Sequence, residues 1–433
     1  MGSQRASVGG RSREFILFMM TLVYVVNYLD RTVLAIVLPE IKHEFQLSDA
    51  VLGFLSGTSF AITYATLGMP LAWIADRSNR RNVIAGSVAL FSAMTLLCAF
   101  TSNTLQLIVA RILTGVGEAG TGPSIQSIIS DLYPPTKRGA ALAVYSSGTN
   151  IGLLLAFIGG GLIAEQFGWR IAFLAAGLPG IFLSIIVISR VPEPRRGHVE
   201  QINDDATAPT FFATVTFLWS QRSFRWIAMG AAMSAFAGYA VVTFVPLFLS
   251  VSHGMRPSPR GLVLALLTGI GGGFGTIISG LLVDRLSPRD VRWNTFLPVV
   301  FVAIAIPFIP FFYLSPGLLT TLLFAVVPLA MSSSYLAPCL AMTQGLVPLR
   351  MRAQAAAILF FILNIIGGGL GPLCVGMLSD ALHPLLGSDS IRWALLATTI
   401  PLIASAWCFW NAGRTLTDDL SRGAGAKPQR VPT

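Results

Sequence analysis

The sequence predicts an all-α membrane protein of twelve transmembrane helices, arranged as two pseudo-symmetric six-helix bundles. Three observations carry that expectation: apolar runs of bilayer length recur along the chain, the sequence repeats itself halfway, and its cations fall in alternate loops. Of 433 residues, 54% are hydrophobic and only 11% charged, with a mean hydropathy of +0.72. Soluble domains carry about 25% charged residues, so a water-soluble fold is excluded. A hydrocarbon core of about 30 Å takes about 20 apolar residues to cross as a helix. Runs of that length, bounded by proline, glycine and charge clusters, place helices 1 to 12 at 15–38, 51–74, 83–101, 105–129, 140–163, 170–190, 224–249, 261–283, 295–314, 317–345, 354–379 and 391–411.

The repeat is visible when the sequence is slid along itself. At an offset of 208, Gly53 meets Gly261, Asp76 meets Asp284, Arg77 meets Arg285 and Arg81 meets Arg289; at 214, Pro134 meets Pro348, Arg138 meets Arg352 and Asn150 meets Asn364. The expected organisation is a cytoplasmic tail over 1–14, a six-helix bundle over 15–190, a cytoplasmic linker over 191–222, a second bundle over 223–412 and a cytoplasmic tail over 413–433. The linker is the one long polar stretch, with a short surface helix expected near Phe211 to Trp219. Parallel halves of six spans each define a transporter plan in which the substrate site lies near midplane between the halves and rocking gives alternating access.

Charge placement fixes the orientation. With the N-terminus inside, 22 of the 29 Lys and Arg fall on the cytoplasmic side, two lie within spans, and five (Lys42, Arg170, Arg256, Arg260, Arg392) lie outside. That asymmetry follows the positive-inside rule, so both termini are expected in the cytoplasm and the chain in the cytoplasmic (inner) membrane. The net charge of +10 is scattered over many segments and forms no single patch, which argues against a nucleic-acid partner. The cysteines Cys98, Cys339, Cys374 and Cys408 sit in apolar runs without paired spacing and read as buried small hydrophobes. No cleavable signal peptide is expected, because the run from Phe15 is long enough to span and lacks a small-residue cleavage site.

Charge inside a bilayer costs at least about 2.5 to 3.5 kcal/mol per side chain, so the few deep charges are the first functional candidates. They are Asp30 and Arg31 in helix 1 and Arg111 and Glu118 in helix 4. At 1.5 Å per residue, Asp30 and Arg111 reach similar depths, whereas Glu118 lies on the same face as Arg111 but about 10 Å deeper. Asn27 stands one turn before Asp30, within reach of the same group. One reading is a structural ion-pair network between helices 1 and 4, since the four charges sum to zero. The other is a proton-coupling site at Asp30 and Glu118, in which Arg31 and Arg111 either release the carboxylates or bind an anionic headgroup, and desolvation then favours the protonated acid. Which carboxylate titrates stays open. The second half offers an uncharged aromatic and hydroxyl surface, including Phe236, Tyr239, Tyr335 and Asn364. One charged wall and one apolar wall suit an amphipathic anion.

At these residues the sequence resembles the major facilitator superfamily. Asp76-Arg77-Ser78-Asn79-Arg80-Arg81 is similar to its loop signature, Gly280 to Arg285 repeats it in the second half, and Arg111 with Gly115 and Gly117 resembles its helix 4 proton-transfer element. The resemblance implies a cytoplasmic gate at Asp76, Arg77, Arg81, Asp284 and Arg285. Asn27-Tyr28-Leu29-Asp30-Arg31 with Gly115-Val116-Gly117-Glu118-Ala119 resembles the spinster branch, which implies proton-linked movement of lysolipids or sphingosine phosphate. Asn-Tyr-x-Asp-Arg also occurs in organic anion symporters of the superfamily. Ala72 replaces the first signature glycine, and helix 5 lacks the pattern of drug:proton antiporters.

The leading expectation is a proton-coupled transporter of an amphipathic anion. The alternatives are a proton symporter of small organic anions and, in another class, a non-transporting receptor or scaffold. No catalytic residues, enzyme activity, metal or cofactor is expected beyond the proton as coupling ion, and the chain is expected to act as a monomer. All four histidines lie in loops, and no nucleophile or metal-ligand motif is present.

Overall fold

The computed structural model describes residues 10–194, 210–348 and 351–425. Most of the linker, including Arg195, Arg196, Asp204 and Asp205, lies outside the described residues, as do both chain ends and Arg350.

Before the linker the chain runs through helix 1 (Gly10–Phe45), helix 2 (49–77), helix 3 (Arg80–Cys98), helix 4 (104–132), helix 5 (Pro135–Phe167) and helix 6 (Trp169–Arg190). After it come helix 7 (Arg222–His253), helix 8 (Pro257–Leu286), helix 9 (293–314), helix 10 (Leu318–Gly345), helix 11 (352–386) and helix 12 (390–425). A short helix, Phe211–Ser220, forms in the linker. By length and apolarity alone, nine continuous helices among the described residues qualify as spans, or ten with the bent pair of helix 9. Helix 4 is divided at Gly120, and the stretch Gln354–Leu420, at 67 residues, is about three times what one crossing needs. The architecture is thus consistent with twelve crossings. Helices 1 and 5 outrun their apolar runs at both ends, because a helix continues past the hydrocarbon until its backbone is capped.

Those caps are written in the sequence. Side-chain oxygens of Ser48, Asn79 and Asn103 accept the N–H groups of Val51, Asn82 and Gln106 and so start helices 2, 3 and 4. Gly168, at φ +86°, ends helix 5 in a conformation that side chains with a Cβ avoid. Helices 2, 8 and 11 each contain a π-helical turn, at Phe54–Thr58, Ala265–Gly271 and Leu363–Leu370. Such turns leave backbone groups out of the regular ladder and are frequent at functional sites.

The described residues pack as two compact units. The first comprises Met1–Leu47, Ser59–Asp204 and Met255–Ala265; the second comprises Ser48–Thr58, Asp205–Gly254 and Leu266–Thr433. The first unit's core brings Ile16, Met20 and Val23 of helix 1 against Phe91 of helix 3 and Ile125 and Ile129 of helix 4. The second unit's core gathers Phe224, Ile227 and Ala231 of helix 7 with Cys339, Leu359 and Phe409. Cys98, Cys339 and Cys408 are buried as expected, but Cys374 is exposed on helix 11. An apolar run in a membrane protein has a lipid-facing side as well as a core side, and sequence alone does not separate them.

Where the linker leaves the first unit, Arg80 is 2% exposed and donates to four acceptors: Asp131, Glu193, the Ser127 hydroxyl and the Pro194 carbonyl. Glu193 also accepts the Arg81 backbone N–H at 2.9 Å. The linker's first residues are thereby fastened to the start of helix 3 and the end of helix 4. In the second unit, Pro288 and Gly345 stand at the repeat equivalents of Arg80 and Asp131. An open cleft of about 850 Å³, bordered by Pro288, Gly345 and Asp284, lies at that place. Replacing Arg80 by Met strands two carboxylates and is expected to cost about 3 kcal/mol. The readout is a lower thermal midpoint of the purified protein, with Arg80→Lys recovering only part because an ammonium cannot span four acceptors on two segments.

Candidate functional site

All four deep charges belong to the first unit, and Asp30, Arg111 and Glu118 are 0%, 4% and 5% exposed. Helix 4 brings Arg111 and Glu118 onto one face by their seven-residue spacing. Close approach of helix 4 to helix 3 depends on Gly117, where a Cβ would stand 2.6 Å from the Phe91 backbone nitrogen. Glu118 sits in the last turn before the break at Gly120, and the Thr121 hydroxyl donates to its main-chain carbonyl at 2.8 Å.

The side chains do not pair as depth alone suggests. Arg111 Nη1 donates to the main-chain carbonyl of Asp30 at 3.4 Å rather than to its carboxylate. The Asp30 carboxylate turns toward helix 3, where Ser92 Oγ donates to Oδ2 at 3.5 Å, while Oδ1 is buried without a hydrogen-bond partner. Asn27, also buried, lies one turn earlier on helix 1. Glu118 has neither carboxylate oxygen hydrogen-bonded, although both are buried. Its charged neighbours are Arg31 and Arg111. Arg31 is half-buried and its guanidinium stands 3.9 Å above the Phe60 ring, a cation–π contact. Phe60 stacks on Tyr64, while Tyr24 contacts Tyr28 edge-on and stacks on Tyr145 at 4.3 Å. The arrangement is a dry carboxyl, two neighbouring guanidinium groups and a wall of aromatic rings.

The second unit supplies a different surface. A cavity of about 60 Å³ is bordered by Gly238 and Val241 of helix 7, Phe301, Phe312 and Tyr313 of helix 9, and Tyr335 of helix 10. Tyr335 is among the residues that line this cavity within the second unit. Asn364 donates to the Phe360 carbonyl in its own helix at 2.8 Å. Ser234, Ser332 and Ser334 also border the cavity, but their hydroxyls are occupied: Ser234 pairs with Ser405, and Ser332 and Ser334 donate to the Leu329 and Met331 carbonyls. The cavity is therefore apolar in effect despite its serines.

The expected gate is only partly assembled. The Asp76 side chain lies outside the described residues. Arg77 is exposed, and Arg81 engages the Asn82 side chain and the Val191 carbonyl. Asp284 and Arg285 are exposed, with Asp284 on the open cleft of the second unit. Arg80, passed over as one more loop cation, is the buried centre at this end. The signal that finds it is the pair Asp131 and Glu193, two carboxylates at the ends of neighbouring helices facing a loop otherwise made of cations.

Helix breaks, internal repeat and buried intramembrane charges together define a secondary carrier. The chain belongs to the Major Facilitator Superfamily, whose model matches residues 20–372. It is 33% identical over 402 residues to an MFS-type efflux pump of Mycolicibacterium smegmatis, covering 93% of this chain and 92% of that one. It is 23% identical to a sphingosine-1-phosphate transporter of Danio rerio, covering 92% and 84% respectively. Its fold matches, with a TM-score of 0.88 and 29% identity, a bacterial homologue of the human lysosomal transporter spinster in an inward-facing, unoccupied conformation, over 96% of this chain and 99% of that one. Within the superfamily it is a spinster-like transporter and not an enzyme.

A side chain at position 117 has nowhere to go, since the nearest obstacle is main chain. Gly117→Leu is expected to lose more than about 3 kcal/mol, beyond the usual overpacking range of 1 to 3. Loss of monodisperse protein in size-exclusion chromatography would register it, and Gly122→Leu, which meets open space, should leave the profile unchanged.

Proposed function

We propose that this chain is a proton-coupled secondary active transporter of an amphipathic anion, of the lysolipid or sphingosine-phosphate kind. It works by alternating access as a monomer in the cytoplasmic membrane, with both termini cytoplasmic. The observation that carries the reading is Glu118, a carboxyl with both oxygens buried and unbonded between Arg31 and Arg111. A charge there gains no hydrogen bond, so a proton is its simplest counter-ion when neither guanidinium is close. When an anionic headgroup takes Arg31, that compensation is withdrawn and proton uptake accompanies binding. Arg31 is suited to the exchange because its guanidinium lies on the Phe60 ring, beside Glu118. Asp30, hydrogen-bonded toward helix 3, is the second carboxyl of the pair.

The apolar cavity of the second unit supports an acyl chain as the other half of the ligand. Its lining is mostly apolar and its serine hydroxyls are already engaged, which suits hydrocarbon as the occupant. The similarity to a sphingosine-1-phosphate transporter supports the same class. Scattered cations on alternate loops support the orientation.

The test is substrate-evoked proton flux in proteoliposomes loaded with a pH-sensitive dye. A lysophospholipid should evoke flux in the native chain, and Glu118→Gln should lower it at least tenfold while thermal-shift binding persists. Undiminished flux in Glu118→Gln overturns the proton assignment. Thermal stabilisation by small dicarboxylates but not lysolipids assigns the carrier to organic anions, and binding without uptake assigns it to a receptor.

A further inference from the structure

The compact units depart from the sequence repeat at two places. Residues 48–58, the start of helix 2, pack with second-half helices, and 255–265, the start of helix 8, pack with first-half helices. Each start is held in the same way. Asp380 of helix 11 accepts the backbone N–H groups of Asp49 and Ala50, both at 2.8 Å. Glu165 of helix 5 accepts the backbone N–H of Ser258 at 2.8 Å. A shift of 208 carries Ala50 onto Ser258, and a shift of 215 carries Glu165 onto Asp380. The bond is therefore one design made twice.

Packing around it repeats under the same shifts. A Cβ on Gly376 would overlap the Asp49 carbonyl, and one on Gly161 would overlap the Pro257 carbonyl. Likewise Gly53 closes on the Pro372 carbonyl and Gly261 on that of Phe157. Backbone meets backbone at both crossings, which brings each carboxylate onto the helix end without an intervening side chain. The two ties differ in one respect. Helix 8 begins with Pro257, which has no N–H to give, and it gains other anchors instead. Arg260, 0% exposed, donates to the Glu40 carboxylate at 2.8 Å and to the Ile36 carbonyl at 2.7 Å, and Arg256 pairs with Glu165 at 3.4 Å. Helix 2 adds hydroxyl bonds: Ser379 donates to the Asp49 carboxylate at 2.7 Å and Thr58 to the Gly369 carbonyl at 2.6 Å.

We infer that Asp380 and Glu165 are matched latches, each gripping the N-terminus of a helix from the other repeat, and that both must let go for the carrier to open at this end. The proposed orientation puts that end outside. A carboxylate on a helix N-terminus is strongly attracted by N–H groups and dipole alike. It is also reversible: Glu165 is 26% exposed, so water replaces the lost donors on release. Asp380, with two backbone donors, is the simpler latch; Glu165 acts with the Arg260 anchor. The inference depends on the chain being a carrier, not on its substrate or coupling ion.

The experiment is a pulsed electron-spin distance measurement on the full chain in nanodiscs, with labels at the exposed positions His43 and Ser388. The native chain should give predominantly the shorter distance. Asp380→Asn and Glu165→Gln should each raise the longer-distance fraction at least threefold, and the double variant should raise it further. Asp49→Pro tests the donor side, because it removes one N–H while giving helix 2 the proline that already starts helix 8; a smaller rise is expected. An unchanged distribution in the double variant, or in Asp49→Pro should the double variant not fold, overturns the proposal.

Discussion

Hydrocarbon offers no solvent for charge, and the first unit is organised around one carboxyl that the protein also declines to solvate. Glu118 is buried with neither oxygen bonded, at a break in helix 4. Its charged neighbours are two guanidinium groups and the Asp30 carboxyl. A fully hydrogen-bonded carboxylate there would be a structural fixture. Left bare, it is sensitive to every move of the surrounding cations. Around it, Gly117 brings helix 4 onto helix 3, and the Arg31 guanidinium lies on the Phe60 ring.

The repeats have divided the work unequally. The first holds the buried charge and closes its helix 3 end with Arg80 and two carboxylates. The second has no deep charge, puts Pro288 and Gly345 at the equivalent places, and invests instead in an apolar cavity. Symmetry survives where it serves the motion common to both halves, at the crossings of helix 2 with 11 and helix 5 with 8. It is lost at Arg80 and Asp131, whose places Pro288 and Gly345 take in the second half.

Much of this is legible in the sequence because the membrane simplifies the reading. Spans announce themselves by length and apolarity, and deep charges such as Asp30 and Glu118 stand out against them. What the sequence does not show is direction around the helix. Asp30 reads as the partner of Arg111 by depth, yet its carboxylate points to Ser92, because the two residues approach through main chain. Residues at span ends are the least legible. Arg80, Arg260, Glu165 and Asp380 look like ordinary loop charges obeying positional bias, and only three-dimensional pairing reveals them as fasteners.

The serines around the second unit's cavity carry one more consequence. Because their hydroxyls are spent on helix carbonyls or on each other, the chamber has little with which to recognise a polar group and responds mainly to how much hydrocarbon enters it. Each added methylene contributes about 0.8 kcal/mol, close to a fourfold gain in affinity. If the proposed amphipathic anion seats its tail here, affinity rises with tail length until the space is full and falls once a carbon must stay behind in lipid or water. Selectivity of this kind has the character of a gauge rather than a lock.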